Sequence, residues 1–154
     1  MAEVQLVVYK LGDELCATDI SRLHEIIRLK KIQKVPEMPE FIEGVAILRG
    51  NVVPIIDLNK KFNLPYRQTD KKTKVIVVGV QQQYVGFRVD DVTEIMRVEG
   101  NDIETSVDFI KHMGAKEYIA GVAKSEQKLI ALIDLHKILG ENELEQLKKT
   151  EVSA

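Results

Sequence analysis

Side chains that could carry out catalysis are few in this sequence and lie far apart along it. A Ser or Cys nucleophile needs a His base within reach. The single cysteine, Cys16, falls in a predicted strand, and the three histidines, His24, His112 and His136, stand in unlike contexts. The zinc motif HExxH, the phosphate loop GxxxxGKS/T and the dinucleotide motif GxGxxG do not occur. We therefore predict that the protein is not an enzyme, with no catalytic, cofactor-binding or metal-binding residues.

Two aspartates, Asp57 and Asp134, could act as paired carboxylates because each ends an apolar strand. Each occupies the same place in a repeated Ile-Asp-Leu segment, and a short helical segment follows each of them. An aspartate directly before a helix commonly accepts a hydrogen bond from one of the first backbone N–H groups. We therefore interpret both as helix N-caps. Buried carboxylates with perturbed pKa values at these positions would instead favour an unrecognised enzyme.

Charge and composition give no reason to expect nucleic acid or lipid as a partner. The 154 residues include 22 basic and 24 acidic residues without a long run of either sign, and the net charge is −2. No tryptophan, four tyrosines and four phenylalanines are available for base stacking. A small β-barrel that binds nucleic acid is therefore a less favoured alternative, which a salt-dependent shift of DNA would revive.

The expected location is the cytoplasm. One cysteine cannot form an internal disulfide, which suits a reducing compartment. The N-terminal segment MAEVQLVVYKLGDE has neither the basic region nor the long apolar region of a signal peptide. No stretch reaches the roughly 18 uninterrupted apolar residues that a membrane span needs, so the sequence predicts a soluble protein.

Alternating and β-branched segments predict a mainly β fold. The segments VQLVVYKL, VVPIID, KVIVVGV, QYVGFRVDDV and KLIALID are bounded by Gly, Asn, Asp or Gln turns. VIVVGV and LIALI are apolar on both faces, which is typical of strands inside a closed barrel or beneath a second sheet. Only ENELEQLKKT, 141–150, has helical leucine spacing, with acidic residues first and lysines last.

The chain contains an internal duplication. GVAILRGNVVPIIDL, Gly44–Leu58, and GVAKSEQKLIALIDL, Gly121–Leu135, match at six of fifteen positions at an offset of 77. Upstream, LHEIIRL at 23–29 aligns with VTEIMRV at 92–98 at an offset of 69. Two paired blocks in the same order predict two small β units of about 65 to 70 residues. Their boundary is predicted near 66–74, and units of this size usually close into barrels, which removes exposed edges.

The residues that differ between the two copies are the best candidates for function. Arg49 and Gly50 lie between two apolar strands where the second copy has Glu126 and Gln127. Gly followed by Asn suits a turn with positive φ, so the segment can be read simply as a good turn. A guanidinium adds nothing to a turn, however, whereas its planar set of donors suits a carboxylate or a backbone carbonyl of a partner.

The segment FIEGVAILRGNVVPIIDL, Phe41–Leu58, resembles the signature of the CheW family of bacterial chemotaxis coupling proteins. The blocks LGDELCATDISRLHEI, VGFRVDDVTEIMRV and GVAKSEQKLIALIDLHKIL resemble other blocks of that family, in order and at family spacing, from about residue 4 to 139. The chain departs from the pattern at Ile47, where the family has Asn, and at Cys16-Ala17-Thr18, where an aromatic, a small and an aliphatic residue are usual.

The resemblance implies two SH3-like, five-stranded β-barrels from an internal duplication, around a shared hydrophobic core, with short helices and a C-terminal helix. The implied organisation is a single CheW-like domain over 1–154. Within it, we predict one barrel over 1–68, a second over 69–140, and a C-terminal helix and tail over 141–154.

The resemblance also implies a non-catalytic scaffold that couples the cytoplasmic helical tips of chemoreceptors to the regulatory domain of the histidine kinase CheA. The protein would then be associated with membrane-bound receptor arrays without inserting into the membrane, and no cofactor is implied. The family's receptor-facing residues fall on Leu23, Glu25, Gly44 and Arg49, with Val75 as a further candidate. The kinase face is expected around Val35, Pro36, Phe41, Asn51 and Val52. An adaptor of another CheA-type system, such as one for surface motility, is the alternative within this class.

Overall fold

Strands dominate the computed structural model, which describes residues 3–29, 32–34, 36–105, 118–126, 128–140 and 143–146. The mainly β fold is therefore confirmed. The strands are β1 (Glu3–Leu11), β2 (Glu14–Asp19), β3 (Glu25–Arg28), β4 (Ile42–Leu48), β5 (Asn51–Asp57), β6 (Lys74–Val80), β7 (Gln83–Val89), β8 (Asp91–Glu99), β9 (Ile103–Glu104), β10 (Ile119–Ser125) and β11 (Lys128–Ile133). Helix α1 (Leu58–Lys61) follows β5, and 3-10 turns cover Ile20–Arg22, Gly100–Asp102 and Leu135–Lys137.

The strands form two sheets with the same internal connectivity. One sheet has the order β3-β6-β7-β5-β4, and the other has the order β8-β1-β2-β11-β10-β9. In the first sheet, the antiparallel hairpin β6–β7 pairs in parallel with β5 through β7. In the second sheet, the antiparallel hairpin β1–β2 pairs in parallel with β11 through β2. Strands β3 and β8, which carry the repeated Glu-Ile pattern, are the edge strands at equivalent positions of the two sheets. The duplication predicted from the sequence is therefore present in the strand pairing.

Each sheet combines strands from both sequence copies. The hairpin β1–β2 of the first copy joins β8 to β11 of the second, and the hairpin β6–β7 of the second joins β3 to β5 of the first. The strands are therefore divided differently from the predicted barrels 1–68 and 69–140, because the copies exchange hairpins. Apolar alternation could not reveal this, since both hairpins have buried faces that suit either sheet. A single domain over 1–154 stays a prediction.

Both sheets curl around clusters of apolar side chains. In the first sheet, Ile27 on β3 and Leu48 on β4 pack against the same buried cluster, although these strands are opposite edges. In the second sheet, Met96 on β8 and Ile103 on β9 likewise share one cluster. Opposite edges reach one cluster only when a sheet rolls up, as in a small barrel. The two sheets thus fit the predicted SH3-like pair, although the second has six strands because it includes the two-residue β9.

A third cluster lies where the two barrels meet. Val75 and Val77 of β6 belong to the cluster inside the first barrel, whereas Ile76 and Val78 of the same strand pack into this shared core. Alternate residues of one strand point to opposite faces, so β6 is buried on both sides. This confirms the interpretation of VIVVGV as a strand with two apolar faces.

Part of the predicted C-terminal helix is described. Residues 143–146 are helical, and the remainder of 141–154 lies outside the described residues. Leu144 packs against the shared core, and Lys61 Nζ lies 2.6 Å from Glu143 Oε2, which ties this segment to α1. In the portion of the chain that the structure describes, no helix has the length and apolar character needed to span a membrane.

Candidate protein-binding surfaces

A groove of about 500 Å³ opens between the two edges of the first barrel. Ile27 and Leu29 line it from the β3 side, and Ala46 and Leu48 line it from the β4 side. The lining also includes Val45 and the exposed Ile47, which alternate with Ala46 and Leu48 along β4. We call this surface, which is mainly apolar, the β3–β4 groove.

Glu25 and Arg49 form a two-point ion pair at one end of the β3–β4 groove. Arg49 Nη1 lies 3.2 Å from Glu25 Oε1, and Arg49 Nη2 donates a hydrogen bond to Glu25 Oε2 at 3.3 Å. Arg49 and Gly50 form the two-residue turn between β4 and β5 with positive φ values of 50° and 82°, as expected for a tight hairpin. The side chain of Arg49 is 71% exposed, so most of its guanidinium is available to a partner.

An aromatic stack adjoins the carboxylate of Glu25. The rings of His24 and Tyr84 lie 4.3 Å apart with an angle of 24° between their planes. His24 Nε2 is 3.6 Å from Glu25 Oε1. The sequence offered no signal for this contact, because the two residues belong to different copies of the duplication.

The other predicted receptor-facing residues do not line the β3–β4 groove. Leu23 is half-buried and packs against the shared core. Val75 is fully buried within the first barrel, beneath the groove. Gly44 is also buried, on β4 behind Gln33. Receptor contact by these three residues stays a prediction, and the structure brings together only Glu25 and Arg49 at the groove.

The glycines that open the two repeated segments are explained by close packing. A Cβ on Gly44 would collide with Ile32 Cγ2 and would lie 2.7 Å from the carbonyl oxygen of Gln33, a residue that forms a β-bridge with Val45. A Cβ on Gly121 would lie 2.9 Å from the carbonyl oxygen of Glu104. Each glycine therefore leaves room for a neighbouring chain segment, 32–33 at Gly44 and 103–105 at Gly121, to pass close to its strand.

Replacing Gly44 with alanine should lower the free energy of unfolding by about 1 to 3 kcal/mol, because the added methyl group must displace backbone. Urea unfolding measures this difference. Gly79→Ala is the matched control, since a Cβ at Gly79 on β6 meets nothing within 4 Å, and its stability should change by less than about 0.5 kcal/mol. Equal effects of the two substitutions would contradict the packing role of Gly44.

Of the predicted kinase-facing residues, Asn51 and Val52 begin β5, and Pro36 and Phe41 precede β4. Val35 lies outside the described residues, Pro36 and Asn51 are exposed, and Phe41 is half-buried against the shared core. Val52 pairs directly with Ile47 across the hairpin. Ile47, where the chain departs from the family pattern, is 71% exposed and also lines the β3–β4 groove, which makes it a candidate contact that was not among the predicted site residues.

A second groove, of about 410 Å³, occupies the corresponding position on the second barrel. Its lining includes Glu94 on β8 and Glu126 in the turn between β10 and β11. By the offsets of the duplication, these residues correspond to Glu25 and Arg49. An arginine–glutamate pair is therefore replaced by two acidic residues. The two turns thus place opposite charges at equivalent positions, and Lys10 and Lys128 also line the second groove.

Both repeated aspartates act as helix caps, which confirms their predicted role. Asp57 Oδ1 accepts a hydrogen bond from Asn59 N–H at 2.9 Å, and Asp134 Oδ1 accepts one from His136 N–H at 3.0 Å. Asp57 has a second role that the sequence did not reveal, because Arg88 Nη1 lies 3.3 Å from its Oδ2.

Arg88 joins Asp57 to the segment between the two sequence copies. Its Nη2 donates to the carbonyl oxygen of Arg67 at 2.6 Å and lies 3.1 Å from Thr69 Oγ1. The side chains of Arg88 and Asp57 are each only 1% exposed. Burial raises the pKa of Asp57 above its usual range, and the Arg88 guanidinium opposes that shift. The raised pKa of Asp57 is thus explained by burial at a structural position, and the ion pair with Arg88 offsets part of it.

The described residues do not assemble a catalytic centre. Cys16 is buried, and burial raises the pKa of its thiol to about 12, so the reactive thiolate is disfavoured. No group of three or more His, Cys, Asp or Glu side chains among the residues described could hold a metal ion. His112 lies outside these residues.

Comparisons with known proteins agree with this architecture. The family model described as the CheW-like domain matches residues 5–143. The chemotaxis protein CheW of Klebsiella aerogenes is 32% identical over 91% of this chain and 84% of that protein, and that of Treponema pallidum is 29% identical over 94% and 87%. The crystal structure of the scaffolding protein TtCheW from Thermoanaerobacter tengcongensis matches with a TM-score of 0.80 and 34% identity, over 92% of this chain and 91% of that one. With a family match over most of its length, this chain belongs to the CheW-like family.

Proposed function

We propose that this chain is a chemotaxis adaptor that holds the cytoplasmic helical tip of a chemoreceptor beside the regulatory domain of the kinase CheA. The observation that carries this proposal is the β3–β4 groove with its exposed Arg49, in a chain of the CheW-like family. The protein acts by bringing two partners together and transforms neither of them.

The receptor tip binds the β3–β4 groove in a helix-in-groove mode. The apolar walls formed by Ile27, Leu29, Ala46 and Leu48 supply affinity through burial of aliphatic surface. Arg49 stands at the end of these walls with its side chain 71% exposed, so its guanidinium can pair with a carboxylate of the helix while it stays beside Glu25. The groove thus supplies affinity, and the arginine supplies orientation and specificity.

The kinase binds the same β4–β5 hairpin from its β5 side. Val52 and the exposed Ile47 form a cross-strand apolar pair there, and Asn51 lies beside them at the turn. Ile47 also lines the β3–β4 groove, so the proposed receptor and kinase surfaces adjoin at this residue. One rigid hairpin can therefore touch receptor and kinase simultaneously, and the adaptor joins membrane-bound receptor arrays through its partners.

Replacing Arg49 with glutamate should weaken binding of a receptor tip fragment by at least about tenfold, because it removes the donor fork and repels carboxylates. The free energy of unfolding should change by less than about 1 kcal/mol, the usual limit for an exposed ion pair. Calorimetric titration with the receptor tip and separately with the CheA regulatory domain measures both affinities, and urea unfolding measures stability.

Arg97→Glu is the matched control for this test. Arg97 is an exposed arginine on β8 that lies 3.7 Å from Glu3, so the substitution makes the same change of charge in a second exposed ion pair. It should leave both affinities within about twofold of the unsubstituted protein. Equal losses in the two variants would contradict a specific role of Arg49, and absence of binding to either partner by the unsubstituted protein would refute the proposed function.

A further inference from the structure

One oxygen at the end of the β3–β4 groove has unused capacity to accept a hydrogen bond. Glu25 Oε1 is shielded from solvent and accepts none from the described residues. Arg49 Nη1 and His24 Nε2 both lie near it, at 3.2 Å and 3.6 Å, without the alignment of a hydrogen bond. The other oxygen, Oε2, accepts from Arg49 Nη2. Two nitrogen groups therefore stand beside one carboxylate oxygen.

The imidazole of His24 is held in this position by Tyr84. The stacked rings are 4.3 Å apart, and stacking of this kind restricts the rotation of an otherwise half-exposed side chain. An imidazole is the side chain that most readily changes its charge near neutral pH. Its Nε2 is therefore placed where a gained proton would be shared with Glu25.

We infer that His24 and Tyr84 are positioning residues for the Glu25–Arg49 pair, and that they make the groove select a carboxylate on the receptor helix in a pH-dependent way. When His24 is protonated, it donates to Glu25 Oε1 and takes over part of the neutralisation of that carboxylate. Arg49 then has donors to spare for a carboxylate of the partner. This inference rests on the proposed function, because it concerns the same binding surface.

The charges around His24 give the direction of the effect. Glu25 and Arg28 on β3, Arg49 in the turn and Tyr84 on β7 are the ionisable groups of this end of the groove. Glu25 and Arg49 balance each other and Arg28 adds one positive charge, so a proton on His24 increases an existing excess of positive charge. Arg22, which precedes β3, lies 3.8 Å from Asp134 and is balanced by it. Affinity for a carboxylate is therefore greatest when His24 is protonated and falls as pH rises.

The second barrel lacks this arrangement at the corresponding positions. By the offset of the duplication, His24 corresponds to Thr93 and Tyr84 corresponds to Leu15, and both of these line the second groove. The histidine and the aromatic ring thus lie beside Glu25 of the first groove and have no counterparts at the equivalent positions of the second.

The test is a calorimetric titration of a chemoreceptor tip fragment against the full chain between about pH 5.5 and about pH 8. A single added charge near the contact should strengthen binding roughly three- to tenfold at the acidic end. His24→Phe keeps an aromatic ring against Tyr84 and His24→Gln keeps a neutral donor, and both should remove the pH dependence that the wild type shows. His136→Phe is the control, since His136 lies beside Asp134, and it should keep the full dependence.

Three outcomes separate this inference from the proposed function. A wild-type pH dependence that both His24 variants lose and His136→Phe keeps supports the inference. Binding that does not vary with pH, or that varies equally in His24→Phe, overturns the inference and leaves the proposed function standing. No binding of the tip at any pH overturns the proposed function, and the inference with it.

Discussion

Replacing Asp57 with alanine should lower the free energy of unfolding by about 3 to 5 kcal/mol, the cost of leaving a buried charge without its partner. Arg88 loses its carboxylate partner in this variant while it remains almost fully buried. A helix cap alone would account for only about 1 kcal/mol. Urea unfolding at equilibrium, with the slope of the transition compared between variants, measures the difference.

Two further variants separate the ion pair from the cap. Asp134→Ala removes the equivalent cap, whose arginine neighbour Arg22 is half-exposed, and should cost about 1 kcal/mol. Asp57→Asn keeps an oxygen for the N–H of Asn59 but removes the charge, so its cost should approach that of Asp57→Ala. If Asp57→Ala costs no more than Asp134→Ala, the buried ion pair contributes nothing that the cap does not.

The sequence predicted the duplication and the strands but not the way in which the copies combine. Repetition of residue types such as Gly44 and Gly121 marks equivalent positions, because the same crossing of a barrel edge occurs twice. The exchange of hairpins depends on two parallel pairings between the copies, that of β5 with β7 and that of β11 with β2. Parallel neighbours are distant in sequence, and their pairing leaves no local pattern of turns or alternation.

The candidate site was predicted only where one residue type carried the signal. Arg49 stood out because a guanidinium adds nothing to a tight turn, and its pairing with Glu25 gives the groove its polar end. Arg88 gave no such signal, since an arginine in an alternating strand reads as a solvent-facing residue. Its partners Asp57 and Thr69 come from separate segments, so only the folded chain shows that the charge is buried.

The two barrels have grooves at equivalent positions but differ in the charge of one turn residue. The grooves of both barrels occupy equivalent positions, yet Arg49 at the first corresponds to Glu126 at the second. Turn residues are under little packing constraint, so they can change charge without cost to the barrel. If the first groove binds a carboxylate as proposed, Glu126 repels that carboxylate at the second groove, and repulsion of this kind contributes to specificity.

Above about pH 9, the free energy of unfolding should fall by about 1.4 kcal/mol per pH unit for each buried group that ionises on unfolding. Burial, with a smaller contribution from Glu14, raises the pKa of Cys16 from 9.0 to about 12. Burial also raises the pKa of Tyr9, whose hydroxyl lies 3.0 Å from Thr18 Oγ1 in the shared core. Urea unfolding under reducing conditions at several alkaline pH values measures the slope.

The direction of this effect follows from the folded and unfolded states of the thiol. Because the folded pKa of Cys16 is raised, its contribution to stability is complete below the unfolded value of 9.0 and is lost as pH rises toward about 12. Cys16→Ala should therefore be less stable at neutral pH but lose stability more slowly above about pH 9, by the share of one group. Tyr9→Phe should flatten the curve further only where free tyrosine ionises, above 10.0. A Cys16→Ala curve parallel to that of the wild type would mean that the thiol ionises equally in both states, and that the shared core does not exclude water at β2.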